Sequence, residues 1–332
     1  MKLALLVNDV ATEIPEYTTT RLARAAAGMG HDVWYLGVGD LNQGEPVQKV
    51  TARGRRAKGK PDDELEPFLE RVQGEQGTKI ELDTVDALFL RNDSIEDLHE
   101  RAWASSIGGV FGQTLASRGV TVVNDPAVLT RAASKLYLQE FPPEIRPRCL
   151  VTRDADDIRD FIARVGRSVI KPVYGAKGRN VFMVEDADDT NLAQMTEAVL
   201  EDGYIIAQEF VEGGDDGDMR VFLLDGDVLE VDGATAAFRR VPQGNDPRAN
   251  ISTGGKMERV VLAPEHRSVI ESMRDKLVAD GMFFVGIDVI GDKVVEINAE
   301  SPGGLQAIER LYEVDVCPTI VDALERRSSS TR

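Results

Sequence analysis

The stretch from Phe284 to Pro302, Phe-Val-Gly-Ile-Asp-Val-Ile-Gly-Asp-Lys-Val-Val-Glu-Ile-Asn-Ala-Glu-Ser-Pro, constrains this chain more than any other. It reads as two strands rich in Val and Ile about a tight turn at Gly291-Asp292. Strands of that composition belong in a core, yet these carry Asp288, Glu296 and Asn298. Buried carboxylates need a paired charge or a cation. A donor set made only of oxygens suits Mg²⁺ rather than Zn²⁺. The competing reading is a surface hairpin whose acids face water. Register matters to the choice. A two-residue loop pairs Ile290 with Lys293 and Asp288 with Val295, which turns Glu296 away. A three-residue loop, or a bulge, pairs Asp288 with Glu296 and puts Asn298 on the same face, since a one-residue slip exchanges the faces. We predict the second register.

The chain is long enough, at 332 residues, for about two or three folding units. The N-terminal run Met1-Lys-Leu-Ala-Leu-Leu-Val reads as a first strand, without a signal-peptide cleavage pattern. No apolar run is long enough to suggest a membrane span. A net charge of −18 argues against binding to nucleic acid or to an anionic membrane. Cys149 and Cys317 form no disulfide framework or metal motif, and a reducing cytoplasm is the simplest compartment. Lys49 to Lys60 is a local reversal, with six basic residues and no acid. A solvated loop is the favoured reading there, over an anion-binding arm.

The first third alternates strand and helix: strands at Lys2–Val7, Asp32–Val38, Val85–Leu90 and Val120–Val123, helices at Thr18–Met29, Asp62–Val72 and Ala102–Ser117. Alternation of this kind predicts an α/β fold, a Rossmann-like, mostly parallel sheet with helices on both faces. Ligands of such sheets lie beyond the carboxyl ends of the strands, where Asn8, Asp9, Arg91, Asn92 and Asp93 fall. Helix Ala127–Gln139 and a proline-interrupted segment follow, then a small α+β unit with the dimensions of a lid. From Tyr204 the pattern changes to hairpins, a polar stretch from Arg239 to Lys256 that reads as a substrate loop, helix Pro264–Asp280 and the hairpin described above. The expected divisions are 1–124, 125–205 and 206–327, with a disordered tail at 328–332.

Several groups with chemical potential precede the hairpin. Lys171 sits on a strand before the loop Tyr174-Gly-Ala-Lys-Gly178, and glycines such as Gly175 and Gly178 let backbone N–H groups approach phosphate oxygens. This is not the Walker pattern, and alone a plain turn explains it better. Lys135 is a second candidate phosphate lysine. The apolar strand running into Gln208 and Glu209 offers a hinge for an adenine edge. Asp218 and Arg220 share a strand face at i and i+2. Arg240, Arg248 and Asn250 lie in or beside the polar stretch.

Taken in order, these stretches resemble the ATP-grasp carboxylate–amine ligases, and more narrowly the bacterial glutathione synthetase branch. The motifs that carry the likeness are Lys135-Leu-Tyr, Ile170-Lys-Pro, Ala207-Gln-Glu-Phe, Asp216-Gly-Asp-Met-Arg220, Arg240-Val-Pro-Gln-Gly244, Arg248-Ala-Asn250, Gly286-Ile-Asp-Val-Ile-Gly291 and Glu296-Ile-Asn298 with Ser301-Pro302. The resemblance implies a pre-ATP-grasp domain followed by a two-lobed ATP-grasp fold with ATP between the lobes. By the same match Lys135, Lys171, Gly175 and Gly178 hold phosphates, Gln208, Glu209, Phe210 and Val211 hold adenine, and Asp218 lies near the ribose. Asp288, Glu296 and Asn298 would hold Mg²⁺, with Mn²⁺ the alternative. Arg220, Arg240 and Asn250 would hold the substrate carboxylate and its acyl phosphate. The implied reaction joins γ-glutamylcysteine to glycine with ATP, giving ADP and phosphate, in a homo-oligomeric enzyme. Departures stand at Arg91-Asn-Asp-Ser94, where the family carries prolines, and at Gly303-Gly304, where members often have Thr after the Ser-Pro pair. A ligase for another acid and amine, or a nucleotide-binding regulator without catalysis, therefore stays open as an alternative.

Overall fold

The computed structural model describes residues 1–45, 48–60, 63–175, 178–242 and 256–330, and three main sheets organise it. The first runs β3-β4-β2-β1-β6-β7, from strands β1 (Lys2–Val7), β2 (Asp32–Gly37), β3 (Leu41–Gly44), β4 (Lys49–Ala57), β5 (Thr78–Glu81), β6 (Ala87–Leu90) and β7 (Thr121–Val123). Its β2-β1-β6-β7 portion is parallel, as the strand–helix alternation predicts. Helix α1 (Thr18–Gly28) covers it through Leu22, Ala23 and Ala26, while α2 (Leu65–Gly74) contributes Phe68 and Val72 to the same core. The helix expected over Ala102–Ser117 is present as the shorter α4 (Ile107–Ala116), and a separate helix, α3 (Ser94–Glu100), precedes it. Asp93 caps α3, accepting from the N–H groups of Ile95 and Glu96.

The basic segment is a strand, not a solvated loop. β4 pairs antiparallel with β2, β3 and β5, and Val50, Ala52 and Ala57 are buried. Three of its charges are neutralised locally: Lys49 by Glu81, Arg56 by Asp32 and Lys58, just beyond, by Glu75. Arg53 and Arg55 donate instead to the Gly77 and Gln73 carbonyls, at 3.3 and 2.9 Å.

The expected helix Ala127–Gln139 is divided, into α5 (Pro126–Ala132) and a 3₁₀ turn over Lys135–Glu140. The break coincides with a tertiary bond, from the Lys135 N–H to the Val173 carbonyl. Leu129, Ala132, Tyr137 and Leu138 pack into the large core shared by the first and third sheets. The lid begins after them. Its sheet is antiparallel, in the order β10-β9-β11-β8, from β8 (Cys149–Thr152), β9 (Ser168–Pro172), β10 (Phe182–Val184) and β11 (Ile205–Glu209). Helices α6 (Ala155–Val165) and α7 (Leu192–Leu200) close a separate core with Ile158, Phe161, Val199 and Ile205. A division at 205 would cut β11 from partners on both sides, so the lid sheet continues through Glu209.

The third sheet has the order β17-β16-β12-β18-β19. Its members are β12 (Asp218–Leu224), with the short β13 (Asp227–Val228) beside it, β16 (Ala237–Val241), β17 (Lys256–Arg259), β18 (Phe284–Ile290) and β19 (Lys293–Asn298). A two-stranded ribbon, β14 (Glu230–Val231) and β15 (Ala234–Thr235), joins β13 to β16. Arg239 and Arg240 thus stand on a strand rather than in the polar loop expected there. Helix α8 (Pro264–Ala279) supports this sheet through Met273 and Leu277. Buried Asn124 ties the first unit to it, donating to the Phe284 and Ala299 carbonyls and accepting from the Phe284 N–H. Helices α9 (Leu305–Tyr312) and α10 (Cys317–Ser330) close the chain. α10 packs on the α1 side of the first sheet through Ile320, Val321 and Leu324, and Ser328 is buried. The expected disorder at 328–332 is therefore corrected for residues 328–330, which that packing holds in the helix.

Candidate functional site

The register of β18 and β19 is the predicted one, and the device is a bulge. Ile290 faces Lys293 across a two-residue turn, but the pairing shifts after Val289, so Asp288 stands opposite Glu296 and Gly286 opposite Asn298. Across the other edge of β18, Asp288 faces Arg220 of β12, and Asp218 of β12 faces Arg240 of β16. One sheet face therefore carries Arg220, Asp288 and Glu296 in a row across three strands, with Asp218, Arg240 and Asn298 adjoining.

These groups are bonded to one another. Arg220 Nε and Nη2 grip the Asp288 carboxylate, the latter at 2.9 Å, and Arg240 Nη2 reaches it at 2.8 Å. Arg240 also holds both Asp218 oxygens, at 2.6 and 2.5 Å. Burial by itself raises the pKa of the Asp288 carboxyl, but the two guanidiniums override it and hold the group well below the usual carboxylate range. Asp218 is shifted the other way, upward, by burial and then by the Asp288 charge. Gly217 permits the Asp218–Arg240 approach. Its φ is +98°, and a Cβ there would stand 1.8 Å from the Arg240 carbonyl oxygen.

The two lysines converge on the other end of the row. Lys135 donates to Glu296 Oε1 at 3.0 Å and to the Gly175 carbonyl at 2.7 Å. Lys171 is 8% exposed on β9, with Nζ 3.5 Å from the Val295 carbonyl. Burial lowers its pKa to about 8, with Lys135 pushing the same way and Glu296 opposing. Glu296 is itself shifted down, because Lys135 and Lys171 outweigh its desolvation.

Past β11, the Glu209 and Phe210 N–H groups are taken by the Arg148 and Arg167 carbonyls. The Phe210 carbonyl and the Val211 N–H make no backbone hydrogen bond among the described residues, leaving one acceptor and one donor side by side. The Glu209 carboxylate is occupied by a bidentate Arg148, at 2.8 and 2.6 Å. Gln208, Gly175, Gly178 and the hairpin acids all line one cleft of about 1260 Å³. Asn250, Arg248 and Lys177 lie outside the described residues.

The donor set tests the expected metal. Asp288, Glu296 and Asn298 offer two carboxylates and an amide on one face, a hard oxygen set that fits Mg²⁺ held jointly with phosphates. No cluster of three or more His, Cys, Asp or Glu side chains forms another candidate among the described residues. In this arrangement guanidiniums and Lys135 occupy the carboxylates a cation would use.

The cleft also contains groups that sequence patterning did not single out. Glu300, just past β19, and Glu13, after β1, line it beside Asn8, Arg91 and Asp93. Burial, with Asp93 adding, raises Glu300 to about 8. Burial raises Glu13 to about 7 despite Arg91 nearby. The signal available was Glu300 itself, an acid directly before Ser301-Pro302. Asn92, placed with these residues by its sequence position, is instead buried away from the cleft lining.

Comparison with known proteins agrees along the whole chain. The model of the prokaryotic glutathione synthetase N-terminal domain matches residues 1–130, and that of the prokaryotic glutathione synthetase ATP-grasp domain matches residues 134–313. The chain belongs to the prokaryotic glutathione synthetase family. Glutathione synthetase of Brucella melitensis is 30% identical over 98% of this chain and 99% of its own length. That of Gloeobacter violaceus is 32% identical over 98% and 96%. Among solved structures, D-cycloserine synthetase DcsG superposes with a TM-score of 0.65 over 98% of this chain and all of its own, at 15% identity. The ATP-grasp ligase PsnB, solved with a minimal precursor, gives 0.64 over 99% of both chains at 18% identity. These two likenesses concern the fold alone. No helix among the described residues is long and apolar enough to cross a membrane.

Proposed function

We propose that this protein is a glutathione synthetase that activates the carboxylate of γ-glutamylcysteine with ATP and joins it to glycine. The observation that carries the reading is the Arg220–Asp288–Glu296 row facing Lys135 and Lys171 within one cleft. In this reading Lys135 and Lys171 neutralise the transferring phosphoryl group, while the Phe210 carbonyl and Val211 N–H receive the adenine edge. Arg220 and Arg240, with Asn250, hold the acid. Asp218 orients Arg240 and keeps its guanidinium charged. A Mg²⁺ ion held by Asp288, Glu296 and Asn298 would neutralise charge on the phosphates.

The chemistry requires no protein nucleophile. A carboxylate oxygen attacks the γ-phosphorus and ADP leaves, which converts an unreactive acid into an acyl phosphate. The amine nitrogen then attacks the acyl carbon, phosphate departs, and the nitrogen loses a proton. The residues contribute position and fixed charge, which dominate catalysis of phosphoryl transfer. With a cation bound, Asp288 would hold it in place of guanidinium, which would leave Arg220 and Arg240 to hold the acid.

A lid that comprises β8 to β11, from Cys149 to Glu209, rather than 125–205, a reducing cytoplasm and a homo-oligomeric state belong to the same proposal. Free Cys149 and Cys317 accord with that compartment. Release of ADP from ATP and Mg²⁺ with a panel of acids and amines tests the reading. We expect turnover with γ-glutamylcysteine plus glycine. Turnover confined to a different pair would assign another ligase, and ATP binding without turnover would point to a regulator.

A further inference from the structure

The Lys135-Leu-Tyr motif contains a member that the scheme above does not use. Tyr137 is 1% exposed and lies outside the lining of the main cleft. Its side chain does line a small cavity that adjoins the lysine end of that cleft, together with Lys135, Lys171 and Glu296. It stands on a 3₁₀ run of six residues, Lys135–Glu140. Such runs rarely exceed about three or four residues, because their hydrogen bonds are poorly aligned. Side chains must therefore hold what the backbone does not.

The turn is tied at both ends. At its start the Lys135 N–H donates to the Val173 carbonyl, just past β9 of the lid, at 3.1 Å. Lys135 Nζ reaches the Gly175 carbonyl and Glu296 Oε1, at 2.7 and 3.0 Å. Two residues on, the Tyr137 phenol donates to Asp280 Oδ2 at 2.6 Å. Asp280 follows the last turn of α8, so this bond ties the turn to the helix that supports the third sheet. Burial, and then the Asp280 bond, raise the phenol above its ordinary pKa, so it stays the donor. Two cations flank the ring. Lys276 Nζ is 5.5 Å and the Arg131 guanidinium carbon 6.0 Å from its centroid. Lys276 also bonds Asp280 at 2.8 Å, and Arg131 approaches it at 3.5 Å. Phe141, next after the turn, meets the Tyr137 ring edge to face, with centroids 5.3 Å apart.

We propose that Tyr137 is a positioning residue for phosphoryl transfer. Its bond to Asp280 pins the turn to α8 and sets Lys135 Nζ at the place where the terminal phosphates of ATP are neutralised. This rests on the ligase reading above and deepens it, by naming what orients one of the two phosphate lysines. A lysine ammonium is a point charge on a flexible stem, so its placement depends on the backbone that carries it. A turn free to shift by about an ångström would move that charge out of register, at a cost of up to about a hundredfold in rate.

Tyr137→Phe removes the phenolic oxygen and keeps the ring. Asp280 retains Lys276, so no charge is stranded, and the fold should be kept, which circular dichroism checks. The full-length variant is assayed for kcat with γ-glutamylcysteine, glycine, ATP and Mg²⁺, and for binding of ATP and AMP by titration calorimetry. The two nucleotides share adenosine and differ in the β- and γ-phosphates. In the variant kcat should fall about tenfold, inside the limit for small misplacements. ATP should bind several-fold more weakly while AMP binds as before. Asp280→Ala, which removes the acceptor and leaves Lys276 paired with Glu140, should show the same loss selective for ATP. Arg131→Met takes a cation from the same cluster without touching the phenol bond, and should leave the preference for ATP over AMP unchanged. Equal weakening of both nucleotides in Tyr137→Phe or Asp280→Ala overturns the proposal, since it marks a general loosening. So does an Arg131→Met variant that loses the preference as fully as Tyr137→Phe. A wild-type enzyme that neither turns over nor prefers ATP to AMP defeats the ligase reading and this proposal together. A wild-type kcat, or a preference for ATP that survives Tyr137→Phe intact, defeats the proposal alone.

Discussion

Asp288→Asn should destabilise the protein as well as inactivate it. Asp288 is 3% exposed and is the common partner of two guanidiniums, which are themselves 7% and 5% exposed at Arg220 and Arg240. Breaking one side of a buried ion pair costs about 3–5 kcal/mol, because the surviving charge stays buried. Arg240 keeps Asp218, and Asn can still accept one hydrogen bond, so the lower end of that range applies. A loss of about 3 kcal/mol lowers the melting temperature by roughly 6–12 °C for a unit of this size. A double-mutant cycle with Arg220→Met isolates the pair, since removing both partners relieves the unpaired charge. The coupling should be about 1.5 kcal/mol or more. The pH dependence has a definite sign. The folded-state pKa of Asp288 lies below its unfolded value. Its contribution is therefore present at neutral pH and is lost as pH falls below about 4. Asp288→Asn should lack that part of the acid limb. Thermal melts and urea titrations measure all three effects. A melting temperature within about 1 °C of wild type, with no coupling in the cycle, would refute the buried network.

Three other perturbations follow from the same geometry. Glu296→Gln removes one of two carboxylates from the face opposite Lys135 and Lys171 and should lower kcat by on the order of a hundredfold or more, with the fold retained by circular dichroism; unchanged turnover would exclude Glu296 from the phosphoryl-transfer site. Because burial lowers Lys171 to about 8, kcat/KM for ATP should decline as pH rises through that value, and Lys171→Arg, which stays protonated, should flatten the decline. Gly217→Ala should cost at least about 2 kcal/mol in urea unfolding, since its positive φ and the Arg240 carbonyl leave no room for a Cβ.

Much of this arrangement was legible in the residues. The hairpin register followed from one requirement, that the two acids and the amide share a face, and the bulge after Val289 supplies it. The strand–helix alternation of the first third was equally readable. What escaped depended on contacts distant in sequence. Arg240 looked like part of a polar loop because its partner, Asp218, lies 22 residues away across a strand pair. β4 looked solvated because its charges outnumber its apolar residues, although Val50 and Ala52 already alternate with exposed neighbours. The Arg220–Asp288 grip could not be read at all, since it needs β12 to lie beside β18. Glu300 carries little local signal because its environment is made by Ser94, from a distant part of the chain.

The most direct test of acyl-phosphate chemistry follows oxygen. γ-Glutamylcysteine labelled with heavy oxygen in its cysteinyl carboxylate is incubated with the enzyme, ATP, Mg²⁺ and glycine, and phosphate and peptide are weighed by mass spectrometry. One heavy oxygen should appear in each phosphate released, in step with formation of the tripeptide amide. Phosphate free of label, or released without regard to the acid and the amine, would contradict the account.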